Sequence, residues 1–241
     1  MNLLRSEWIK LWSVRTTWVM LGIGLLAEAL FAGLYVGFAP LEEIGQLEDT
    51  MTGVGLLLVL VLVLGVLVVT AEFRHGTASS TFLVTPRRWP VLVAKLAATF
   101  GVGLLAGLAF VLVNGGLALP LLSSRGGSLP SASDAASVYA GVVVSLGLIC
   151  AFGFGIGAVV RNQVAAIIAA IAALFIVSAL PELLPGSVGD YFPAQAIGSL
   201  HGSSEGDGSL GQVAGGLVLT AWTLGLFAIG TVLVCRRDVG E

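Results

Sequence analysis

Charged side chains are scarce in this sequence. Asp, Glu, Lys and Arg together make up 10% of the 241 residues, whereas an ordinary soluble domain carries roughly 25%. Hydrophobic residues make up 57% of the chain, and its mean hydropathy is +1.02. Because so few charges cannot cover a water-facing surface, the sequence predicts that most of the apolar surface lies in lipid.

Cysteine and histidine are also rare, with two residues of each. Cys150 and Cys235 lie in or beside apolar runs and are interpreted as small hydrophobic residues rather than a disulfide or metal pair. His75 and His201 fall on opposite sides of the topology given below, so they cannot share a metal. No Ser/His/Asp set is credible, and no feature suggests nucleic-acid binding. We expect no catalytic residue, no metal and no cofactor on this chain.

Six apolar runs indicate an all-α integral membrane protein. They cover approximately residues 18–38, 51–71, 96–119, 138–160, 164–180 and 213–234. Each run is long enough to cross a bilayer as a helix, although the fifth is short. A β-barrel would show period-two alternation, which these runs do not. We predict a single domain over residues 1–241 with six transmembrane helices.

The basic residues are distributed unequally between the two sides of this topology. Ten of the eleven Lys and Arg residues fall on one side: before span one, between spans two and three, between spans four and five, or after span six. Arg125 is the exception. The loops on the other side are acidic. The positive-inside rule therefore predicts a multi-pass protein of the cell membrane with both termini in the cytoplasm.

The N-terminal segment, residues 1–16, has the pattern of an interfacial helix. Leu4, Trp8, Leu11 and Trp12 share one helical face, and paired tryptophans suit the membrane interface. Two interpretations stay open: a simple cytoplasmic anchor, or a lateral helix that contacts a partner subunit.

Residues 70–95, which join spans two and three, hold the densest charge in the chain. Gly76 can end the helix of span two, and Thr77 can cap a short helix that Pro86 stops. This segment is either a surface loop with basic anchors at the lipid headgroups or a docking element for a cytoplasmic subunit.

Two polar residues lie inside predicted spans. Glu28 is near the middle of span one, where a charged carboxylate costs about 3 kcal/mol or more, and Asn114 lies in span three. Both are candidates for a translocation pathway. The alternatives are a carboxyl group hydrogen-bonded to another helix and an amide that bridges helices.

Glycine pairs four residues apart occur in several spans. Gly103 with Gly107 and Gly153 with Gly157 are examples. Such pairs let helices approach closely in lipid. We favour packing within the chain over a dimerisation motif.

The segment between spans two and three resembles that of the permeases of ABC-2 type transporters. The residues that carry the resemblance are Glu72, Phe73, Arg74, His75, Gly76, Thr77, Thr85, Pro86, Arg87, Arg88 and Lys95. The amphipathic start and the long outer loop between spans five and six also fit. As an order of elements the resemblance covers essentially the whole chain, whereas its specific motif is limited to residues 70–95.

The resemblance implies a permease that pairs with a second, identical or different, permease copy above two ATPase subunits. Thr77–Val84 would be a coupling helix that enters a groove on the ATPase. The coupling residues implied are Glu72, Arg74, Gly76, Thr77, Phe82, Pro86, Arg87, Arg88 and Lys95. Of these, Arg87, Arg88 and Lys95 would hold anionic lipid headgroups or acidic ATPase residues.

ATP and Mg²⁺ are expected on the partner ATPase rather than on this chain. The sequence has no G-x-x-x-x-G-K-[ST] pattern, which ATP-hydrolysing P-loop proteins use to hold phosphate. The chain is therefore expected to be a transport subunit and not an enzyme. By resemblance we expect export of an amphipathic or hydrophobic drug, peptide or lipid. The alternatives are a stand-alone secondary transporter and, less favoured, an integral membrane enzyme.

Overall fold

A computed structural model describes residues 3–44, 46–74, 88–175, 186–202 and 210–236. Over these ranges the regular structure is helical and includes no strand. The α-helices are α1 (Leu3–Ser13), α2 (Arg15–Phe38), α3 (Val54–Arg74), α4 (Arg88–Ser124), α5 (Ala132–Val160), α6 (Gln163–Phe175), α7 (Pro193–His201) and α8 (Gln212–Arg236).

Five of these helices, α2, α3, α4, α5 and α8, are long and apolar enough to cross a membrane. They confirm the predicted all-α class and indicate a multi-pass membrane protein. The short apolar α6 has 13 residues, and the rest of the predicted fifth span lies outside the described residues. The sixth span therefore stays a prediction.

The start of α4 differs from the predicted third span. The helix begins at Arg88 instead of residue 96 and includes Lys95. Pro90 is tolerated because it lies in the first turn, where its missing N–H leaves no hydrogen bond unmade. Val91 and Leu92 are buried, so the apolar pattern continues through the charge of Lys95. Lys95 thus lies within the helix rather than in front of it.

Helix α5 is the centre of the bundle and packs against α3, α4 and α8. In an apolar stretch of 18 residues of α5, 83% is buried inside the bundle, compared with 22% in the corresponding stretches of α2 and of α8. Its first turn is capped by Ser131, whose hydroxyl accepts a hydrogen bond from the Asp134 N–H at 3.2 Å. Because α2 and α8 are the most exposed spans, they form the periphery that faces lipid or a partner chain.

Close packing of α4 on α5 depends on glycine. A Cβ at Gly103 would lie 2.4 Å from the Leu146 carbonyl oxygen, and one at Gly107 would lie 2.6 Å from the Cα of Val143. Gly153 and Gly157 approach α3 in the same way. These contacts confirm the expectation that the pairs serve packing within the chain.

The connection from α2 to α3 turns back into the bundle. Its 3₁₀ turns, Leu41–Glu43 and Glu48–Thr50, are followed by Met51, which is buried. The Gly53 N–H donates a hydrogen bond to Glu28 of α2. Glu28 lies ten residues, and so about 15 Å, before the end of α2. Helix α3 therefore begins inside the bundle, at the depth of Glu28.

The two ends of the bundle differ in charge. The end with α1, the end of α3, the start of α4 and the end of α8 carries Lys10, Arg74, Lys95 and Arg236. We name it the basic end. The other end, named the acidic end, includes α7, which lies in the long loop between spans five and six.

Candidate functional site

Four charged side chains meet at the basic end. Lys95 Nζ donates to Glu7 Oε2 and to Glu72 Oε1, each at 2.5 Å. Lys10 Nζ donates to the other oxygen of Glu7 at 2.8 Å and lies 3.6 Å from Glu72 Oε1. We name Glu7, Lys10, Glu72 and Lys95 the basic-end cluster. It contains two cations and two anions, so their formal charges cancel.

Three helices bring these residues together. Glu7 lies on the buried face of α1 beside Leu11, Glu72 is in the last turn of α3, and Lys95 is in the second turn of α4. The Lys95 side chain is 3% exposed and that of Glu7 is 6% exposed. A buried ammonium needs this paired arrangement, because an unpaired charge away from water is costly. The cluster therefore fastens α1 to the ends of α3 and α4.

Lys10 forms the outer part of the basic-end cluster. Its side chain is 50% exposed. Partial burial lowers the pKa of Lys10, but the hydrogen bond to Glu7 and the charges of Glu7 and Glu72 outweigh it, so the net pKa is raised. Lys10 is therefore protonated at neutral pH and completes the charge balance of the two carboxylates.

The position of Lys95 changes how its predicted coupling role must be understood. The sequence predicts that it holds lipid headgroups or acidic ATPase residues, whereas the structure gives it two carboxylate partners within the chain. Any part in coupling would be to hold helices together. Glu7 was not predicted as a site residue, although the sequence carries a signal: it lies three residues after Leu4 and four before Leu11, within the apolar stripe of α1.

The other predicted coupling residues are only partly described. Arg74 is exposed at the end of α3, and its Nη1 donates to Gln163 Oε1 of α6 at 3.0 Å. Arg88 begins α4, but its side chain is outside the described residues. Gly76, Thr77, Phe82, Pro86 and Arg87, with the rest of Thr77–Val84, also lie outside them. The coupling helix stays a prediction.

A second polar cluster lies inside the bundle. Asn114 Nδ2 donates to Glu28 Oε1 at 2.7 Å and to the Thr50 carbonyl at 3.1 Å. The Gly53 N–H donates to Glu28 Oε2 at 2.9 Å, and the Tyr139 hydroxyl donates to Asn114 Oδ1 at 2.8 Å. Glu28, Thr50 and Asn114 are fully buried. We name Glu28, Thr50, Gly53, Asn114 and Tyr139 the interior cluster.

Glu28 acts as a cap for α3. Its two oxygens each accept a hydrogen bond from a neutral N–H group. One donor, Gly53, directly precedes α3, whose first N–H groups have no partner within the helix. The positive end of the helix dipole favours an anion at this point. The costly carboxylate is therefore matched by donors that the turned-in loop supplies.

The structure thus brings together the two residues predicted as pathway candidates. Glu28 and Asn114 form a hydrogen bond with each other. This contact matches the alternatives given for them: a carboxyl group hydrogen-bonded to another helix and an amide that bridges helices. A direct role of either in translocation stays a prediction. Thr50, Gly53 and Tyr139 were missed because the contacts depend on the loop entering the bundle, which no local pattern indicates.

Arg125, the exception in the charge distribution, also lies at a helix end. Its Nη1 donates to the carbonyl groups of Val36 and Ala39, at 2.5 Å and 2.9 Å, where α2 ends. A cation is favoured at a helix C-terminus, where the carbonyl groups lack partners. Arg125 is therefore explained by local capping at the acidic end.

Within the described ranges, no group of three or more His, Cys, Asp or Glu residues is placed to hold a metal ion. A comparison with protein-family models finds no match for this chain, and a comparison with curated proteins finds none either.

Proposed function

We propose that this chain is the membrane-spanning permease subunit of an ATP-binding cassette exporter of the ABC-2 type. ATP would be hydrolysed by a separate ATPase, and a second permease copy would complete the transporter. Both termini and the basic end would face the cytoplasm. The cargo would be an amphipathic or hydrophobic drug, peptide or lipid.

The observation that carries this proposal is the basic-end cluster. The predicted coupling segment leaves α3 just after Glu72 and leads to α4, in which Lys95 lies. Both ends of that segment are therefore tied to each other and, through Glu7, to α1. A loop that receives a push from an ATPase needs such a fixed connection if the force is to move the spans rather than bend the loop.

The resemblance in residues 70–95 supplies the rest of the support. Buried ion-pair clusters can also serve fold specificity. The cluster and the resemblance concern the same three elements, and this agreement favours a coupling device over a simple topology anchor.

A stand-alone secondary transporter is the second candidate. The start of α3 inside the bundle favours it, because secondary transporters often bind substrate at helix ends near mid-membrane. In this chain, however, Glu28 already occupies that helix end with both of its oxygens. We therefore place this candidate second.

The test is purification of the C-terminally tagged chain from its native membrane in mild detergent, with mass spectrometry of what accompanies it. The proposal expects a stoichiometric ATPase that carries the P-loop motif. Ser80→Pro, within the predicted coupling helix, should abolish its recovery, whereas Leu129→Pro, in the loop before α5, should preserve it.

Two results would contradict the proposal. One is intact, folded protein that never recovers an ATPase. The other is an ATPase whose recovery is unchanged by Ser80→Pro, which would remove the docking assignment of Thr77–Val84.

A further inference from the structure

A deep crevice lies beside the basic-end cluster, between the halves of α2 and α3 nearest that end. The two helices touch at Gly24, where an added Cβ would lie 2.5 Å from Leu57 Cδ1. Nearer the basic end they enclose a cavity of ≈ 830 Å³. Helix α1 borders its mouth through Glu7, Lys10 and Leu11.

The crevice has an apolar interior and a charged mouth. The interior is lined by Met20, Leu64, Leu67 and Val68. Of these side chains, only that of Leu64 is buried, and the other three are partly exposed. The charged side chains at the mouth are Glu7, Lys10, Glu72, Arg74 and Lys95. A ligand that fits both zones must be amphipathic.

The charge of the mouth selects the headgroup. Its three cations and two anions leave a formal charge of +1. The basic-end cluster is balanced internally, so the excess belongs to Arg74, which is exposed. The Arg74 guanidinium donates one described hydrogen bond, from Nη1 to Gln163. A guanidinium has several N–H donors, arranged in a fork that suits phosphate oxygens.

The depth of the crevice suits an acyl chain from one leaflet. From Arg74 to Leu64 the helix rises about 15 Å, so the interior reaches roughly half the thickness of a bilayer core of about 30 Å. This depth matches one leaflet. A lipid chain would replace water against the apolar wall, while its phosphate would stay at the level of Arg74 and Lys10.

We propose that the crevice between α2 and α3 binds one anionic phospholipid from the leaflet at the basic end, with an acyl chain against Leu67 and Val68 and its phosphate on Arg74. This inference does not depend on a partner ATPase. It makes the lipid a bound component of the wall that α1, α2 and α3 form.

The test is native mass spectrometry of the protein released from nanodiscs that contain equal amounts of phosphatidylglycerol and phosphatidylcholine with identical acyl chains. The wild type should retain one phosphatidylglycerol per chain in preference to phosphatidylcholine. Arg74→Gln should lower this preference about fivefold, the effect of one basic residue near an anionic lipid surface. Leu67→Trp should fill the crevice and reduce retention of either lipid.

Matched controls separate the crevice from the general surface. Arg236→Gln removes an exposed cation at the same end, and Val232→Trp enlarges a side chain that is 48% exposed near the end of α8. Neither should change retention. Ala71→Leu, a smaller change at the crevice wall, replaces Leu67→Trp if that variant does not fold.

Equal retention of the two lipids by the wild type would overturn the proposal. So would an equal loss of preference in Arg74→Gln and Arg236→Gln, which would indicate adsorption to the whole basic surface. Retention of some other amphiphile in place of phospholipid would overturn the assigned occupant.

Discussion

The interior cluster holds one carboxylate with neutral donors, whereas the basic-end cluster holds two carboxylates with two amines. Glu28 accepts bonds from a backbone N–H and from the Asn114 amide. Glu7 and Glu72 instead share the ammonium of Lys95. Both arrangements supply hydrogen-bond donors to buried carboxylates. When one member is removed, however, the groups that remain without a partner differ between the two clusters.

This difference separates two uses of polar residues in the bundle. Loss of a member of the interior cluster leaves neutral or singly charged groups that neighbouring donors still partly satisfy. Loss of Lys95 leaves two carboxylates close together and mostly buried. The interior cluster therefore resembles a helix cap in its energetics, whereas the basic-end cluster depends on charge balance.

Lys95→Met should give the largest effect. It removes the buried cation and leaves Glu7 and Glu72 with the half-exposed Lys10 as the remaining cation of the cluster. We therefore expect the free energy of unfolding to fall by roughly 3–5 kcal/mol. The measurement is a denaturant titration of purified protein in mild detergent.

Lys10→Met is the matched control, because that side chain is 50% exposed and should contribute no more than about 1 kcal/mol. Adding Glu7→Gln and Glu72→Gln to Lys95→Met should recover most of the loss. If Lys95→Met cost no more than Lys10→Met, the proposed importance of charge balance would be wrong.

A third buried contact extends the comparison to an uncharged pair. His201 Nε2 lies 2.8 Å from the Ser145 hydroxyl oxygen, and burial lowers the pKa of His201 from 6.5 to about 4. Between these values the unfolded chain binds more protons, so stability should fall as pH drops from 6.5 to about 4. The shift corresponds to at most about 3 kcal/mol.

The measurement is the unfolding free energy at several pH values for the wild type and His201→Gln. The variant keeps a polar group near the position of Nε2 but does not titrate, so its stability should change less over this interval. Equal pH dependence in both proteins would show that other groups cause the acid sensitivity.

Glu28→Gln should have a smaller effect than Lys95→Met. Glutamine keeps one acceptor oxygen but places an N–H₂ group where Glu28 accepts a bond from Gly53 or Asn114, so we expect a loss of about 1–2 kcal/mol. Denaturant titration against Glu42→Gln, an exposed residue at the acidic end, measures it. A loss larger than that of Lys95→Met would reverse the comparison between the clusters.

The sequence predicts the helical class, the approximate spans and the cost of burying Glu28, because a charge within an apolar run is visible in one dimension. It places Lys95 just before the third span, as a coupling residue. It does not identify their partners. Glu7 is 88 residues from Lys95, and Asn114 is 86 residues from Glu28, so only the packing of the helices brings them together.

The extent of α4 and the path of the α2–α3 connection were harder to predict from the sequence for a related reason. Arg88 and Lys95 interrupt the hydropathy of the third span, although their backbone continues the helix. The turned-in loop is stabilised by burial of Met51 and by the cap on Gly53. Both features depend on tertiary contacts that outweigh local composition.

The proposed function depends on orientation, since coupling to an ATPase requires the basic end to face the cytoplasm. Cys235 is exposed near that end and Cys150 is buried, and Leu129→Cys places a thiol in the loop at the acidic end. A membrane-impermeant maleimide applied to intact cells should label Leu129→Cys, and Cys235 only after permeabilisation. Labelling of Cys235 in intact cells, with Leu129→Cys protected until permeabilisation, would contradict the orientation and the proposed function with it.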